Sequence, residues 1–102
     1  MKVKIADCRR VVGLYYNIQR AQMIGASRRK AVARPRMMVM TLAHEFTGTS
    51  LPHIAYCLGG RDHTTVLSGI KRIRKLEGQD EAVRDQMAIF RRTLAAYAEG
   101  SA

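Results

Sequence analysis

Residue types that mark several classes of protein are scarce in this chain of 102 residues. Its two cysteines, Cys8 and Cys57, are far apart and form no CxxC pair, and three scattered histidines do not supply the closely spaced ligands of a zinc site. Both thiols are therefore interpreted as buried apolar groups, and they give no argument for a disulfide. Neither a metal nor another cofactor is expected.

Long apolar runs are also missing. No segment approaches the ~18 apolar residues of a membrane span, and the N-terminal MKVKIADCRR carries charges where a signal peptide needs an apolar core. With no tryptophan and only two phenylalanines, a basic helix lying on an anionic membrane is disfavoured. The protein is expected in the cytoplasm, with no membrane partner.

Acidic residues are few. Eight Asp and Glu stand against eighteen Lys and Arg, which gives a net charge of +10. The excess is uneven, because residues 1–75 hold fifteen basic and three acidic residues whereas residues 76–102 hold three and five. Such a basic body indicates a polyanionic partner, most commonly nucleic acid, and an association with the nucleoid.

Helical periodicity runs through the whole sequence, which has only two prolines and no alternating β-branched pattern. The length fits a single domain. We predict an all-α fold of five to six helices with a central helix-turn-helix. The predicted parts are an N-terminal helix and connector (1–25), a basic loop (26–33), a helix-turn-helix core (34–78) and a C-terminal helix (79–98).

Prolines, glycines and capping residues predict the helix boundaries in the core. Pro35 suits the first turn of a helix, where its missing N–H costs little. Ser50 is expected to cap a short helix that has Pro52 in its first turn. The glycine pair 59–60 then ends this short helix, and Asp62 can cap the next one.

The stretch GGRDHTTVLSG, residues 59–69, places a cluster of polar residues directly before an apolar helical pattern. A short helix, a glycine turn and a longer helix form a helix-turn-helix, whose second helix enters the major groove of DNA. Asp62 can accept from a cytosine amino group, His63 can donate or accept, and Thr64 adds a methyl that can touch thymine. Asp62 alone is more often a helix cap than a base reader, but together with the charge these residues indicate DNA binding.

The same residues carry a family resemblance. GGRDHTTVL resembles the signature of the C-terminal DNA-binding domain of the bacterial replication initiator DnaA. The longer stretch ARPRMMVMTLAHEFTGTSLPHIAYCLGGRDHTTVL resembles that domain without a gap, and weaker similarity extends over roughly residues 5–97. The resemblance implies a Trp-repressor-like, all-helical domain that binds A/T-rich boxes of the TTATNCACA type in double-stranded DNA.

The resemblance also implies roles for single residues. Asp62, His63 and Thr64 match residues that read bases in the major groove. Arg28 matches an arginine that enters the adjacent minor groove, where A/T-rich DNA has an enhanced negative potential. The residues expected at the phosphate backbone are Arg29, Lys30, Arg34, Arg36, Leu51, Pro52, Arg61 and Thr65. A solvated loop is the alternative interpretation of residues 28–30.

The chain departs from the family pattern in two respects. Members often have Lys, Gln and His where His44, Met37 and Ser68 stand, which puts affinity in doubt more than sequence preference. The chain also contains no GxxxxGK[ST] phosphate loop, so ATP hydrolysis is not expected of it. Because it starts with Met and a natural-looking first helix, we expect a free-standing transcription regulator that works with a protein partner, such as a transcription factor or a component of RNA polymerase. The alternatives are an origin-binding module, a competitor of the initiator, or the end of a longer initiator chain.

Other classes of function are less favoured. Catalysis is not expected, because residues 62–64 are neighbours on one helical turn and cannot converge on a substrate atom. A nonspecific nucleoid protein would use the same charge without base preference. An RNA-binding protein would need exposed stacking aromatics, whereas the four tyrosines are interpreted as core or helix-edge residues. The main rival is a protein-interaction adaptor that uses the C-terminal helix or the methionine-rich stretch 37–40, which is otherwise expected in the core.

Overall fold

The computed structural model describes residues 2–25 and 30–99, with the backbone but not the side chain of Lys30. This part of the chain forms six α-helices and no strand. They are α1 (Ile5–Tyr16), α2 (Arg20–Ile24), α3 (Lys30–Thr47), α4 (Leu51–Cys57), α5 (His63–Gln79) and α6 (Glu81–Ala98). The prediction of an all-α fold with five to six helices is confirmed.

Helix α3 lies at the centre and packs against the five other helices. Its apolar stripe includes Met38, Val39 and Leu42, which are fully buried. The inner stripe of α5 (Val66, Ile70, Ile73) and that of α6 (Val83, Met87, Phe90, Leu94) complete the core. The three- and four-residue spacings seen in the sequence therefore mark the buried faces of these helices.

The start of α3 differs from the prediction. The helix begins at Lys30, so Pro35 is its sixth residue and the predicted basic loop at 26–33 is wrong for its last four positions. Val32, only 7% exposed, buries the first turn of α3 in the core, which favours a helix that starts before the proline. A proline inside a helix removes one backbone hydrogen bond, and the buried position of Pro35 offsets part of that cost through packing.

The capping predictions agree with the structure. The hydroxyl oxygen of Ser50 accepts a hydrogen bond from the backbone N–H of His53 at 3.3 Å, and Pro52 lies in the first turn of α4. At the other end of the core, Oδ1 of Asp80 accepts from the backbone N–H groups of Ala82 and Val83, at 2.9 and 3.3 Å. Helix α6 therefore begins at Glu81, two residues after the predicted start.

The two cysteines differ in environment. Cys8 is completely buried, and burial raises the pKa of its thiol to about 12. Cys57 is only half-buried, and its Sγ lies 3.6 Å from Nε2 of His53 one helical turn earlier. The interpretation as a buried apolar thiol is thus confirmed for Cys8. It is too strong for Cys57, which packs against the core but stays partly exposed.

Candidate nucleic-acid interface

Residues 59–65, named here the recognition turn, join α4 to the first turn of α5 at the surface of the protein. Gly59 and Gly60 have φ angles of +95° and +73°, in the left-handed region that glycine adopts readily. The backbone N–H groups of Gly60 and Arg61 both donate to the carbonyl oxygen of Ala55, at 3.1 and 3.0 Å. These two bonds close the end of α4 and direct the chain into α5.

Asp62 caps α5. Its Oδ1 accepts hydrogen bonds from the backbone N–H and from the hydroxyl of Thr64, both at 2.8 Å. The bond from the backbone N–H, followed by that from the hydroxyl, lowers the pKa of the Asp62 carboxyl below its ordinary value. Among the described residues, every polar contact to this carboxylate falls on Oδ1. Oδ2 is therefore left to accept from a ligand, and capping does not exclude base reading.

His63, Thr64 and Thr65 follow on the first turn of α5, and all three are exposed. Nδ1 of His63 lies 3.5 Å from Oδ1 of Asp62, and 58% of the His63 side chain is accessible to solvent. Directly behind them, the buried side chain of Val66 fixes the helix against the core. The structure thus brings together four consecutive polar side chains on a rigidly supported helix start.

Other residues that were predicted to contact the DNA phosphate backbone lie on neighbouring helices. Arg34 is exposed on the first half of α3, and Pro52 is exposed at the start of α4. Leu51 is half-buried and packs against the core. Because α4 packs against α5, the start of α4 lies beside the helix that carries the recognition turn. These positions agree with side chains that approach DNA from the flank of a reading helix.

Arg36 lies in the interior. Its side chain is 6% exposed, its Nε donates to the carbonyl oxygen of Met23 at 2.7 Å, and its Nη2 donates to those of Gln22 and Gly25 at 3.0 and 3.1 Å. A phosphate contact requires a surface position, so this placement disagrees with the expectation from the sequence. The physical reason is that the end of α2 offers carbonyl groups without helical partners, which the guanidinium satisfies.

Arg61 is half-buried and has a similar environment. Its Nη1 donates to the carbonyl oxygens of Ile24, at 3.3 Å, and of Leu58, and its Nη2 donates to that of Gly25. A phosphate contact by Arg61 would compete with these bonds. The sequence did not predict these hydrogen bonds of the two arginines, because nothing in the local pattern indicates which carbonyl groups the folded chain brings to them.

Three of the predicted DNA contacts fall outside the described side chains. Arg28 and Arg29 lie in the segment 26–29, and Lys30 is described only by its backbone, as the first residue of α3. The minor-groove contact of Arg28 and the backbone contacts of the other two remain predictions.

The outer face of α5 adds a basic surface that was not assigned to DNA from the sequence. Four basic side chains follow the recognition turn along this helix, and all are exposed: Lys71, Arg72, Arg74 and Lys75. None of them forms an ion pair with an acidic residue of the described part of the chain. The alternation of these residues with buried Ile70 and Ile73 is the sequence signal that marks them as outward-facing.

The described residues also bear on two other classes of site, metal sites and membrane spans. No three His, Cys, Asp or Glu side chains within them lie close enough together to hold a metal ion. None of the helices formed by these residues has the length and apolar character needed to cross a membrane.

Comparison with known proteins relates this geometry to one family. A family model described as the bacterial dnaA protein helix-turn-helix matches residues 5–73. The chromosomal replication initiator proteins DnaA of Roseobacter denitrificans and Cereibacter sphaeroides are each 42% identical to the chain, over 93 and 95 residues. That of a Bradyrhizobium species is also 42% identical over 93 residues. These matches cover 91–93% of this chain but only 20–21% of each relative, so the chain spans about one fifth of the length of the curated relatives it matches.

The family match begins at the first residue of α1 and ends within α5, so it includes α4 and the whole recognition turn. The matched range therefore contains a complete helix-turn-helix, in which the polar residues at the start of α5 are exposed. The chain therefore belongs to the family of the helix-turn-helix domain of bacterial DnaA protein.

Proposed function

We propose that this protein binds A/T-rich boxes of the TTATNCACA type in double-stranded DNA, with the start of α5 in the major groove. One observation supports this most directly: the exposed, consecutive side chains of Asp62, His63 and Thr64 stand at the start of a helix whose opposite face is fixed in the core. Exposed polar groups at this position of a helix-turn-helix are the ones that reach base edges. Membership of the DnaA helix-turn-helix family supports DNA binding as the general function.

The chemistry of the three readers fits the major groove. The Asp62 carboxyl is ionised at neutral pH, since its pKa lies below the ordinary value of 3.8, and its Oδ2 can accept a hydrogen bond from the amino group of a cytosine. The hydroxyl of Thr64 donates a hydrogen bond to Asp62. The Thr64 oxygen can therefore still accept a hydrogen bond from a base, and its methyl group can contact one. His63 is free to donate or accept according to its tautomer.

Phosphate contacts position these readers. The exposed candidates are Arg34, Pro52 and Thr65, together with Leu51 at the edge of the core. Lys71 and Lys75, one helical turn apart on the outer face of α5, extend the same basic surface. We propose that Arg28 enters the neighbouring minor groove and that Arg29 and Lys30 bind the backbone beside it. Phosphate contacts fix orientation whereas base contacts select sequence, so the two sets are separable by experiment.

The proposed biological role is transcription regulation together with a protein partner, such as a transcription factor or a component of RNA polymerase. The relatives named above are replication initiators, which favours the second candidate role, binding of origin boxes or competition for them. A third candidate, a protein-interaction adaptor, would not need base preference. Sites mapped by chromatin immunoprecipitation separate the first two roles, because regulators accumulate at promoters and origin binders at one chromosomal locus.

The decisive first measurement is fluorescence anisotropy at ~150 mM salt with two duplexes of equal composition, one carrying TTATCCACA and one a scrambled box. We expect at least a tenfold preference for the box, which corresponds to ~1.4 kcal/mol. Affinity for both duplexes should fall steeply with salt, because binding releases counterions from DNA.

The other outcomes lead to different conclusions. Tight and equal binding of both duplexes would contradict the box assignment and require selection from random DNA, to decide between another target and nonspecific binding. Absence of binding would contradict DNA recognition and leave the adaptor role as the leading candidate.

A further inference from the structure

Two arginine side chains, one from α3 and one from the recognition turn, donate hydrogen bonds to the carboxyl end of α2. Helix α2 has five residues, so the carbonyl groups at its end lack partners within the helix. Four consecutive carbonyl oxygens, from Gln22 to Gly25, accept hydrogen bonds from Arg36 or Arg61. The carbonyl of Gly25 accepts from both guanidinium groups, so the two arginines meet on one atom. We name these two side chains the arginine clamp.

The two arginines come from parts of the chain that are distant in sequence. Arg36 lies on α3, the central helix, whereas Arg61 lies in the recognition turn, directly before the cap Asp62. Both guanidinium groups are partly withdrawn from water, and burial lowers the pKa of each; the charge of Arg61 lowers that of Arg36 further. Two like charges are thus held close together, which is tolerated because the carbonyl dipoles face them.

The recognition turn also touches α2 directly. A side chain on Gly59 would overlap the carbonyl oxygen of Ile24, and its Cβ would lie 2.8 Å from Nη1 of Arg61. In the same turn the backbone N–H of Arg61 donates to Ala55 at 3.0 Å. Arg61 is therefore bonded through its backbone to α4 and through its side chain to the end of α2.

We propose that Arg36 and Arg61 are positioning residues that set the direction in which the recognition turn presents Asp62, His63 and Thr64, rather than ligands of DNA phosphate. This proposal rests on the proposed function. The turn has no apolar side chain between Leu58 and Val66 with which to fix its position in the core. Its place relative to α2 and α3 depends instead on the directional bonds of the clamp. A displaced turn would still meet phosphates, but its base-reading groups would miss the base edges.

The variants Arg61→Lys and Arg36→Lys test the proposal. Lysine keeps the positive charge but loses the planar fork that bonds several carbonyl groups at once. The control is Arg92→Lys, at an exposed position on α6. For each variant the affinities for the TTATCCACA duplex and the scrambled duplex are measured over a series of salt concentrations, and hydrogen exchange of the free protein is followed amide by amide.

We expect Arg61→Lys to reduce the ratio of box to scrambled affinity by about fivefold or more, the size of one lost base contact. The dependence of affinity on salt should stay as in the wild type, because no phosphate contact is removed. Exchange should accelerate at the amides of Gly60, Arg61 and Thr64, while those of α6 stay unchanged. Arg36→Lys should act in the same direction, and Arg92→Lys should alter none of these quantities.

Each alternative gives a different result. A direct phosphate role would lower the affinity for both duplexes equally when the charge is removed in Arg61→Met, and would reduce the salt slope by about one ion. A purely structural role would lower both affinities in proportion to the folded fraction and accelerate exchange throughout the protein. Either result overturns the proposal, as does unchanged exchange in the turn. If the wild type shows no box preference, the proposed function fails, and the exchange data still decide whether the clamp holds the turn.

Discussion

The two ends of α5 use polar residues in opposite ways. At the N-terminal end, the contacts that Asp62 and His63 make with the described residues are to their neighbours in sequence, and their side chains are 65% and 58% exposed. At the C-terminal end, the guanidinium of Arg91 from α6 bonds the carboxylates of Glu45 on α3 and Glu77 on α5, at distances of 2.7 to 3.0 Å. These side chains are 33%, 26% and 17% exposed for Arg91, Glu45 and Glu77.

The two ends of α5 therefore have different roles: the C-terminal end supports the fold, and the N-terminal end is available for recognition. Four hydrogen bonds from the guanidinium of Arg91 to Glu45 and Glu77 join three helices, and these two carboxylates raise the pKa of Arg91 above its already high ordinary value. The polar side chains of the recognition turn remain available to form hydrogen bonds with a ligand. Substitutions at the C-terminal end should therefore change stability but not sequence preference. Substitutions of His63 or Thr64 should change sequence preference but not stability.

The largest expected effect is on the fold of the recognition turn. Gly59→Ala should lower the free energy of unfolding by about 2–4 kcal/mol, because an alanine is strained at this φ and its Cβ overlaps the carbonyl oxygen of Ile24. Gly60→Ala is the matched control, since its φ is also positive but no atom lies within 4 Å of the added Cβ. It should cost only about 1–2 kcal/mol. Urea denaturation measures the loss of stability in both variants. Equal losses would show that the contact between residue 59 and the carbonyl oxygen of Ile24 is not tight.

Next in size is the effect on base reading. His63→Ala and Thr64→Ala should each reduce discrimination between the box and a box mutated at the contacted base pair by ~1–3 kcal/mol, with an unchanged melting temperature. His53→Ala, at an exposed histidine of α4, is the control and should leave discrimination unchanged. The measurement is anisotropy against single-base variants of TTATCCACA. An equal loss on all sequences would remove these residues from the set of base readers.

Much of this architecture follows from local sequence. Caps and apolar spacings predict α4, α5 and α6 because Ser50, Asp62 and the stripe from Val83 to Leu94 act through contacts within a few residues. The exposed position of Asp62, His63 and Thr64 follows from the same pattern. The helix-turn-helix pattern and the chemistry of these three side chains indicated base reading, and the family resemblance implied the same role for each of them.

The parts that sequence did not predict depend on long-range contacts. The start of α3 before Pro35 reflects burial of Val32, which no local rule indicates. The buried position of Arg36 and the half-buried position of Arg61 depend on carbonyl groups at the end of α2, 11 to 14 residues from Arg36 and 36 or 37 from Arg61. A basic residue in a basic protein is naturally interpreted as a phosphate contact, and only the fold shows which arginines have protein partners.

A smaller effect is expected at the C-terminal end of α5. Arg91→Met should lower the free energy of unfolding by about 1–2 kcal/mol, because Glu45 and Glu77 lose a charged donor while solvent still screens part of the loss. Arg92→Met removes the same charge from the neighbouring exposed position and should change stability by less than about 0.5 kcal/mol. Box preference should be unchanged in both variants. A lost preference in Arg91→Met would show that the two ends of α5 are coupled.

The smallest effect concerns pH and the Asp62 cap. Because hydrogen bonds from Thr64 hold the pKa of Asp62 below its ordinary value of 3.8, the folded protein binds the carboxyl proton more weakly than the unfolded chain. The stability contributed by the ionised cap is therefore fully present above about pH 5 and is lost as the pH falls through the folded-state pKa. The melting temperature of the wild type should exceed that of Asp62→Ala by a constant amount at neutral pH, and this difference should shrink in acid.

Asp80→Ala, which removes the equivalent cap of α6, is the reference for a cap remote from the recognition turn. If the difference between wild type and Asp62→Ala is independent of pH, the carboxylate charge is not what caps α5, and the separation of its Oδ1 and Oδ2 into a capping and a reading oxygen would have to be abandoned.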